Sequence, residues 1–494
     1  MARRDFNRSR RATLGLMGAS ALALISDVAS SPRFAAANAG TGTFAPLRRS
    51  VRGNVLTRSA SEFESVRRSL IWNQRVPVSR SPDAIVRVAS ESDVAAAVHF
   101  ANEHRLKIAL RSGGHNYHAA SLRTGGLLLD LGALNTMDID AKARRMSAGP
   151  GVKSGEVIAA LAPLGLAFPV GHCSDVSLGG YLLGGGIGWN FGEWGPACMS
   201  VTRIQMVNAA GQLIYADPSH NADLFWAARG AGCGFFGAVT RFDLTLYEMP
   251  AAVRTLSLSC KLDSAHRLAE WLEQEVSTVH PTVEVICMLT TPGAGGDALA
   301  VVLAFAMAES NSAASERFGN LRKPPGDLPL LGEVEEKQAS FQDLLQLTDQ
   351  GFPSGMRMAA DTRYCNASLP QLVAESGHLA RERTADSRFM TFIVLGGKAS
   401  PPTPSDSAFA MLGQVNAGAY TFWSDSARDA ANRQWVDSVM SALEPHATGS
   451  YISEADLTAR PGLARRCFSP AAWDELGALK RKHDPDNRFS GYDF

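Results

Sequence analysis

The sequence predicts an α+β fold in two parts, and three observations carry that expectation. Strand-like and helix-like stretches alternate as far as about Pro250. Beyond it, strand-like runs separated by helical stretches suggest another sheet. At 494 residues the chain is also too long for one ordinary core, so two domains are the default.

The elements follow in order. Residues 82–88 read as a short strand and 92–104 as an amphipathic helix, with Asp93 in its first turn and Val94, Val98 and Ala101 at helical spacing. Residues 106–110 form a strand that feeds a glycine loop, and 127–131 a buried strand. Residues 155–164 read as a helix, and 201–207 with 212–216 as a strand pair around Ala210-Gly211. In the second half, 253–260, 283–290, 299–306 and 389–395 read as strands, and 265–279 as a helix. The Pro-rich stretches 322–332 and 397–406 read as loops.

Composition narrows the function. Hydrophobic residues are 45% and charged residues 19% of the chain, which fits a globular enzyme and not a disordered chain. Net charge is zero, so no overall field favours nucleic acid or an anionic membrane surface. The 7 cysteines include no CxxC pair and make no disulfide scaffold; the odd number leaves a thiol unpaired even if the rest bridge. No metal-ligand spacing stands out.

The first forty residues read as an address. Ser9-Arg10-Arg11 precedes an apolar run over 12–25, too short to span a bilayer, and Ala37-Asn38-Ala39 offers a small-x-small cleavage site. The paired arginines resemble a twin-arginine signal, with Thr13 in place of the usual Phe; a basic N-terminus with an ordinary Sec signal fits the same residues. The twin-arginine route implies a periplasmic or secreted protein, exported already folded around a cofactor, with no stable membrane insertion after signal removal.

Two glycine-rich stretches carry the chemistry. The first is Arg111-Ser112-Gly113-Gly114-His115-Asn116-Tyr117, directly after a strand. With no Cβ in the way, its backbone amides can approach a pyrophosphate. Asn116 and Tyr117 can add polar contacts, and His115 would lie near the bound group. A tight turn with a satisfied histidine fits the same residues. The second stretch is Gly171-His172-Cys173; taken alone, its thiol also fits a small buried hydrophobe. Residues 179–188 then hold Gly179, Gly180, Gly184, Gly185, Gly186 and Gly188. Such a run cannot build a packed helix or strand cheaply, and it suggests backbone against a large flat ligand.

In this order the motifs are specific. Residues 82–250 resemble the PCMH-type FAD-binding domain of the vanillyl-alcohol oxidase superfamily, and within it the berberine-bridge-enzyme-like oxidases. Besides the two attachment loops, the resemblance rests on Gly171-x-Cys173-x-x-Val176, on the glycine run, on 223–230 (Asp-Leu-Phe-Trp-Ala-Ala-Arg-Gly) and on Gly234-Phe235-Phe236-Gly237-x-Val239-Thr240. The C-terminal Lys480-x-x-x-Asp484-Pro485-x-Asn487-x-Phe489 extends it nearly to the chain end. It implies a signal over 1–39, a lead-in over 40–77 and an FAD-binding domain of two α/β subdomains over 78–250. A substrate domain with a large antiparallel sheet covered by helices would follow over 251–460, and a return to the FAD domain over 461–494.

The resemblance also implies roles. His115 would bond the flavin 8α-methyl carbon and Cys173 the ring carbon C6, each as the deprotonated nucleophile. Beside Cys173, His172 either lowers the thiol pKa as a cation or faces solvent. In Gly449-Ser450-Tyr451-Ile452-Ser453-Glu454, Glu454 stands where relatives often carry the catalytic tyrosine. As a strand, this segment would point Tyr451 and Ser453 one way, and Ile452 and Glu454 the other. A buried carboxylate with a raised pKa can act as the base, helped by Tyr451; a solvated strand-end glutamate is the plainer reading. Val176, three residues after the cysteine, resembles the oxygen-admitting gate of oxidases. Tyr420 and Phe422 on one strand face, and Trp423 on the other, resemble the aromatic strand that lines the substrate side; aromatic residues at this spacing also suit a core.

Several positions depart from the family pattern: Ser453 for asparagine, Ala472 and Glu475 where asparagine and arginine usually stand, and the ending Ser490-Gly491-Tyr492-Asp493-Phe494. The expected activity is an FAD oxidase with O2 as acceptor and a small hydroxyl-bearing substrate. A dehydrogenase with another acceptor and a non-catalytic flavin-carrying protein are the alternatives.

Overall fold

The computed structural model describes residues 44–75, 79–291, 296–382, 386–394, 406–410 and 412–494. The signal read over 1–39 and most of the loop read over 397–406 lie outside them.

Where the sequence alternates, two larger sheets form, beside a two-stranded pairing of Leu166–Ala167 with Tyr247–Glu248. The first has four strands in the order Asn54–Thr57, Ala84–Arg87, Leu127–Asp130, Ile108–Arg111. The last three run parallel and the first pairs antiparallel. Helix Glu91–Glu103 supplies Val94, Ala97, Val98 and Ala101 to the core beneath this sheet, a face about 100° wide, as an i, i+3, i+4 pattern requires. The second sheet has five antiparallel strands in the order Met137–Asp140, Arg145–Ala148, Ala238–Thr245, Val201–Val207, Leu213–Ala216.

Beyond residue 250 the chain builds one eight-stranded antiparallel sheet. Its order is Glu335–Ala339, Ala252–Lys261, Leu299–Ala308, Glu284–Thr291, Ser387–Val394, Val415–Trp423, Arg357–Cys365, Ala447–Gly449. Helices Ala265–Val276, Leu369–Ser376 and Asp429–Leu443 pack their apolar residues on one face of it, among them Leu268, Leu272, Leu372, Trp435 and Val439. Strand alternation sends Ala417, Ala419 and Trp423 to that helical face. Met358, Ala360, Tyr420 and Phe422 go to the opposite one, against Tyr117.

The C-terminal return has a clear cause. Helix Pro470–His483 ends in a buried i, i+4 ion pair, Lys480 Nζ to Asp484 Oδ2 at 2.5 Å. Lys480 also donates to the Phe489 carbonyl at 2.6 Å, and Asp484 accepts from the Arg488 and Phe489 amides. So held, Phe489 bridges to Ile108, and the Ser490 amide donates to the Ile108 carbonyl at 2.7 Å. The chain end thus braces the strand that leads into the first glycine loop. Among the described residues no helix is long and apolar enough to cross a membrane.

Candidate active site

One cleft collects most of the residues singled out by sequence. It is lined by Arg111 to Tyr117, by Cys173, Val176, Gly179 and Gly180, by Gly237 and Val239, and by Tyr451 and Glu454. His172, Ile187, Ile452, Ser453 and Ser490 line it too. Gly184, Gly185, Gly186, Tyr420, Phe422 and Trp423 are not on its wall.

The first loop is built by close packing. Arg111 pairs with Asp130 at 2.9 Å and donates to the Gly113 carbonyl at 2.8 Å and the Leu70 carbonyl at 3.0 Å, so its guanidinium shapes the loop from behind. Gly114 has φ +72°, and a Cβ there would lie 1.9 Å from the Leu70 oxygen, which only glycine avoids. Ser112 Oγ accepts the Gly180 amide at 3.2 Å and joins the two loops. Asn116 also turns towards protein: its Oδ1 accepts the His118 and Ala120 amides, and its Nδ2 donates to the Ser453 carbonyl at 3.1 Å.

The glycine run divides. Nothing stands within 4 Å of a Cβ built on Gly180, which faces open space. Gly184, Gly185 and Gly186 do not face a ligand, which corrects the reading of the whole run as a ligand wall. Their missing side chains make room for Ser453, Phe409, and Tyr181 with Ala197, at 2.0, 2.1 and 2.9 Å from the built Cβ atoms. Gly188 lies under the Val170 carbonyl in the same way. Gly179 is likewise filled by Pro150 and Ser112, so of the six glycines only Gly180 is open and the rest of the signal is chain packing on chain.

The two proposed nucleophiles share the cleft but differ in surroundings. The His115 ring stacks on Trp72, centroids 4.9 Å apart, and its Nε2 lies 2.9 Å from Asp175 Oδ1. Cys173 is buried, and burial pushes its thiol pKa well up, with Asp175, Asp349 and Glu454 adding to the rise. His172 does not supply a free cation to that thiol, nor does it simply face solvent. It sits at 3.2 Å from Glu284 and edge-on to Trp189. Burial pulls its pKa down, but Glu284 outweighs burial and leaves it raised.

Glu454 reaches the cleft on a turn, not on a strand as the sequence suggested. The Glu454 and Ala455 amides both donate to the Tyr451 carbonyl, at 3.0 and 2.8 Å. An i→i+3 turn puts Tyr451 and Glu454 on one side, where alternation would have separated them. Groups distant in sequence hold the turn: His118 Nε2 donates to the Glu454 carbonyl at 3.0 Å, Asn116 to Ser453, and the Asp456 amide donates to the buried Asp361 at 3.1 Å. Burial raises the Glu454 pKa, and the bonds from Tyr420 and the nearby imidazoles of His172 and His115 only partly offset it.

The tyrosine that serves Glu454 is Tyr420, whose hydroxyl donates to Oε2 at 3.0 Å. Tyr451 does something else. Its hydroxyl accepts the Gly186 and Ile187 amides at 3.2 and 3.3 Å, and burial pushes its pKa up to about 12. Trp423 is corrected as a substrate contact: it is buried under the helices and donates to Asp429 at 2.8 Å. Phe422 stays on the Tyr420 face, packed with Trp72, Phe352 and Phe389. The departures Ala472 and Glu475 lie on the C-terminal helix and do not line the cleft.

Comparison with known proteins decides what this cleft belongs to. Residues 82–217 match the FAD binding domain family FAD_binding_4. FAD-linked oxidoreductase janO of Penicillium janthinellum is 32% identical over 316 residues, 61% of this chain and 67% of that protein. The chain belongs to the FAD-linked oxidoreductases. FAD-linked oxidoreductase nodO of Hypoxylon pulicicidum is 28% identical over 440 residues, 87% of this chain and 95% of its own. The fold matches the crystal structure of 6-hydroxy-D-nicotine oxidase from Arthrobacter nicotinovorans with a TM-score of 0.78 at 24% identity, over 91% of this chain and 98% of that one.

FAD suits the cleft of this FAD-linked oxidoreductase on its own geometry. Gly180 leaves backbone open for close approach. An imidazole and a thiol, those of His115 and Cys173, line the same cleft. Among the described residues no group of three His, Cys, Asp or Glu side chains could hold a metal ion. Sequence reasoning missed Tyr420 as the partner of Glu454, Trp72 as the platform of His115, and Asp175. Only the last had a local signal, a carboxylate between the cysteine and Val176.

Proposed function

We propose that this enzyme is an exported oxidase whose FAD is bonded to both His115 and Cys173. It oxidises a small molecule at a hydroxyl-bearing carbon, a sugar, oligosaccharide or secondary metabolite, and returns the electrons to O2 as H2O2. The observation that carries the reading is the half-buried Glu454: it is bonded to Tyr420 and lines the cleft that also holds both nucleophiles. Bound FAD would supply the hydride acceptor, N5. Glu454 takes the substrate's hydroxyl proton while Tyr420, bonded to Oε2, leaves the other oxygen free to receive it. Desolvation raises the carboxyl pKa towards neutrality, where a base is most effective. A ring fixed at two points spares the site an orientation cost.

Export by the twin-arginine route is part of the proposal and rests on Ser9-Arg10-Arg11 and the apolar run after it. The oxidase reading rests on Val176, half-buried on the cleft wall where a longer side chain would narrow access. The name of 6-hydroxy-D-nicotine oxidase, an oxidase of the same fold, supports it.

The test screens sugars, oligosaccharides, hydroxylated metabolites and cyclic amines for anaerobic bleaching of the flavin, then admits air. Rapid recovery of the yellow colour with one H2O2 per flavin is expected. Val176→Leu should slow that recovery at least about tenfold, the scale of one added methylene in a tight apolar site, and leave bleaching unchanged. Flavin that bleaches but stays reduced in air would make the enzyme a dehydrogenase.

A further inference from the structure

Asp175 stands two residues after Cys173, and its carboxylate reaches the other nucleophile. Its Oδ1 lies 2.9 Å from His115 Nε2. The approach is off the line of a hydrogen bond, so the carboxylate acts on the imidazole by charge and closeness. The imidazole is 12% exposed and the Asp175 carboxylate 38%, so solvent screens the charge in part but leaves it felt at 2.9 Å. Its plane is set by the Trp72 ring, inclined 29° to it. Trp72 is itself tied to this loop, its amide donating to the Gly114 carbonyl at 3.0 Å.

The backbone on both sides of Asp175 is equally fixed. The Ser154 amide donates to the Val176 carbonyl and the Gly155 amide to the Ser174 carbonyl, both at 2.9 Å. The Ser174 amide donates to Asp349 at 3.0 Å. Burial pushes the Asp175 carboxyl up, but His115 and Lys153 outweigh it and hold the group below the ordinary carboxylate range. A fixed anion beside Nε2 favours the tautomer with its proton there. The lone pair is then on Nδ1.

We propose that Asp175 is a positioning residue for flavin attachment: it keeps the proton of His115 on Nε2, presents Nδ1 as the nucleophile, and takes up the Nε2 proton as the bond forms. The inference rests on the bicovalent reading above. The step balances. A bond forms between Nδ1 and the flavin 8α carbon as one C–H bond of that methyl group breaks. One proton leaves from the methyl group and one from Nε2, and the two electrons pass through the flavin to dioxygen, giving hydrogen peroxide.

Asp175 has the opposite effect on Cys173. Its charge adds to the rise of the thiol pKa, and a thiol is a poor nucleophile until deprotonated. Asp175 therefore favours the first bond, at His115, and not the second, at Cys173. Loss of the Asp175 charge should weaken the first bond and spare the second, whereas a merely structural role would weaken both.

The experiment compares wild type, Asp175→Asn and Asp175→Glu, purified with FAD supplied in excess. Each is denatured in acid, flavin is measured in precipitate and supernatant, and the flavin-bearing peptides are weighed. A carboxylate that orients an imidazole is worth about 10–100-fold in metal sites. On that scale, Asp175→Asn should lower His115-linked flavin at least about tenfold, with total FAD and the Cys173 link retained, and Asp175→Glu should restore it. Wild-type levels of His115-linked flavin in Asp175→Asn would overturn the proposal. So would equal loss of total FAD from both variants, which would mark a structural role. Wild-type protein without a His115 link would defeat the bicovalent reading itself, and the inference with it.

Discussion

Glu454→Gln is expected to slow flavin reduction by substrate about 10²–10⁴-fold, the usual contribution of a positioned general base. Stopped-flow bleaching under anaerobic conditions measures it. Flavin content should not change, because Glu454 bonds to Tyr420 and its backbone is held by His118 and by the turn on Tyr451. The glutamine amide can still accept from Tyr420, so the packing survives and only the proton acceptor is lost. The pH dependence has a definite sign. A base works when ionised, and burial raises the Glu454 pKa. Reduction should therefore fall as the pH drops through a value above the ordinary glutamate range, with a plateau on the alkaline side. Glu454→Gln should abolish that acid limb. An unchanged rate in the variant would remove Glu454 from the chemistry.

Lys480→Ala should cost about 3–5 kcal/mol of stability, the scale for breaking a buried ion pair by removing one partner. Lys480 and Asp484 are 8% and 0% exposed, so solvent cannot take over the lost charge. Burial pulls the Lys480 pKa down, and Asp484 is its main compensation. Without the ammonium, Asp484 keeps only its two amide bonds and the Phe489 carbonyl loses a donor. The damage should spread to the cofactor site, since residues 488–490 brace Ile108 and Ser490 lines the cleft. Urea unfolding checks the energy, and acid-released flavin checks the spread. A change below about 1 kcal/mol would mean that water or a rearranged partner satisfies Asp484.

The two halves of the site differed in how far they could be read from sequence, for physical reasons. The attachment loops are local: a strand ends, glycines follow, and the reactive side chain comes within a few residues. Their placement in one cleft was legible from the motifs. Glu454 was singled out by its place in the family motif, but the strand alternation read around it does not exist there. The turn that carries it depends on Asn116, His118 and Asp361, more than 90 residues away in sequence, and no local pattern encodes such a brace. Tyr420 and Trp423 could not be told apart because Val415–Trp423 is buried along its whole length. A strand covered on both faces shows no polar alternation from which to read its sides. The glycines at 184–186 misled for a related reason: a missing Cβ admits Phe409 or Ser453 as readily as a ligand.

One measurement tests the double tether most directly. The purified protein is precipitated in acid and digested, and the yellow peptides are weighed. A single flavin joining a His115 peptide to a Cys173 peptide is the expected result. Flavin released to the supernatant, with both peptides unmodified, would contradict it.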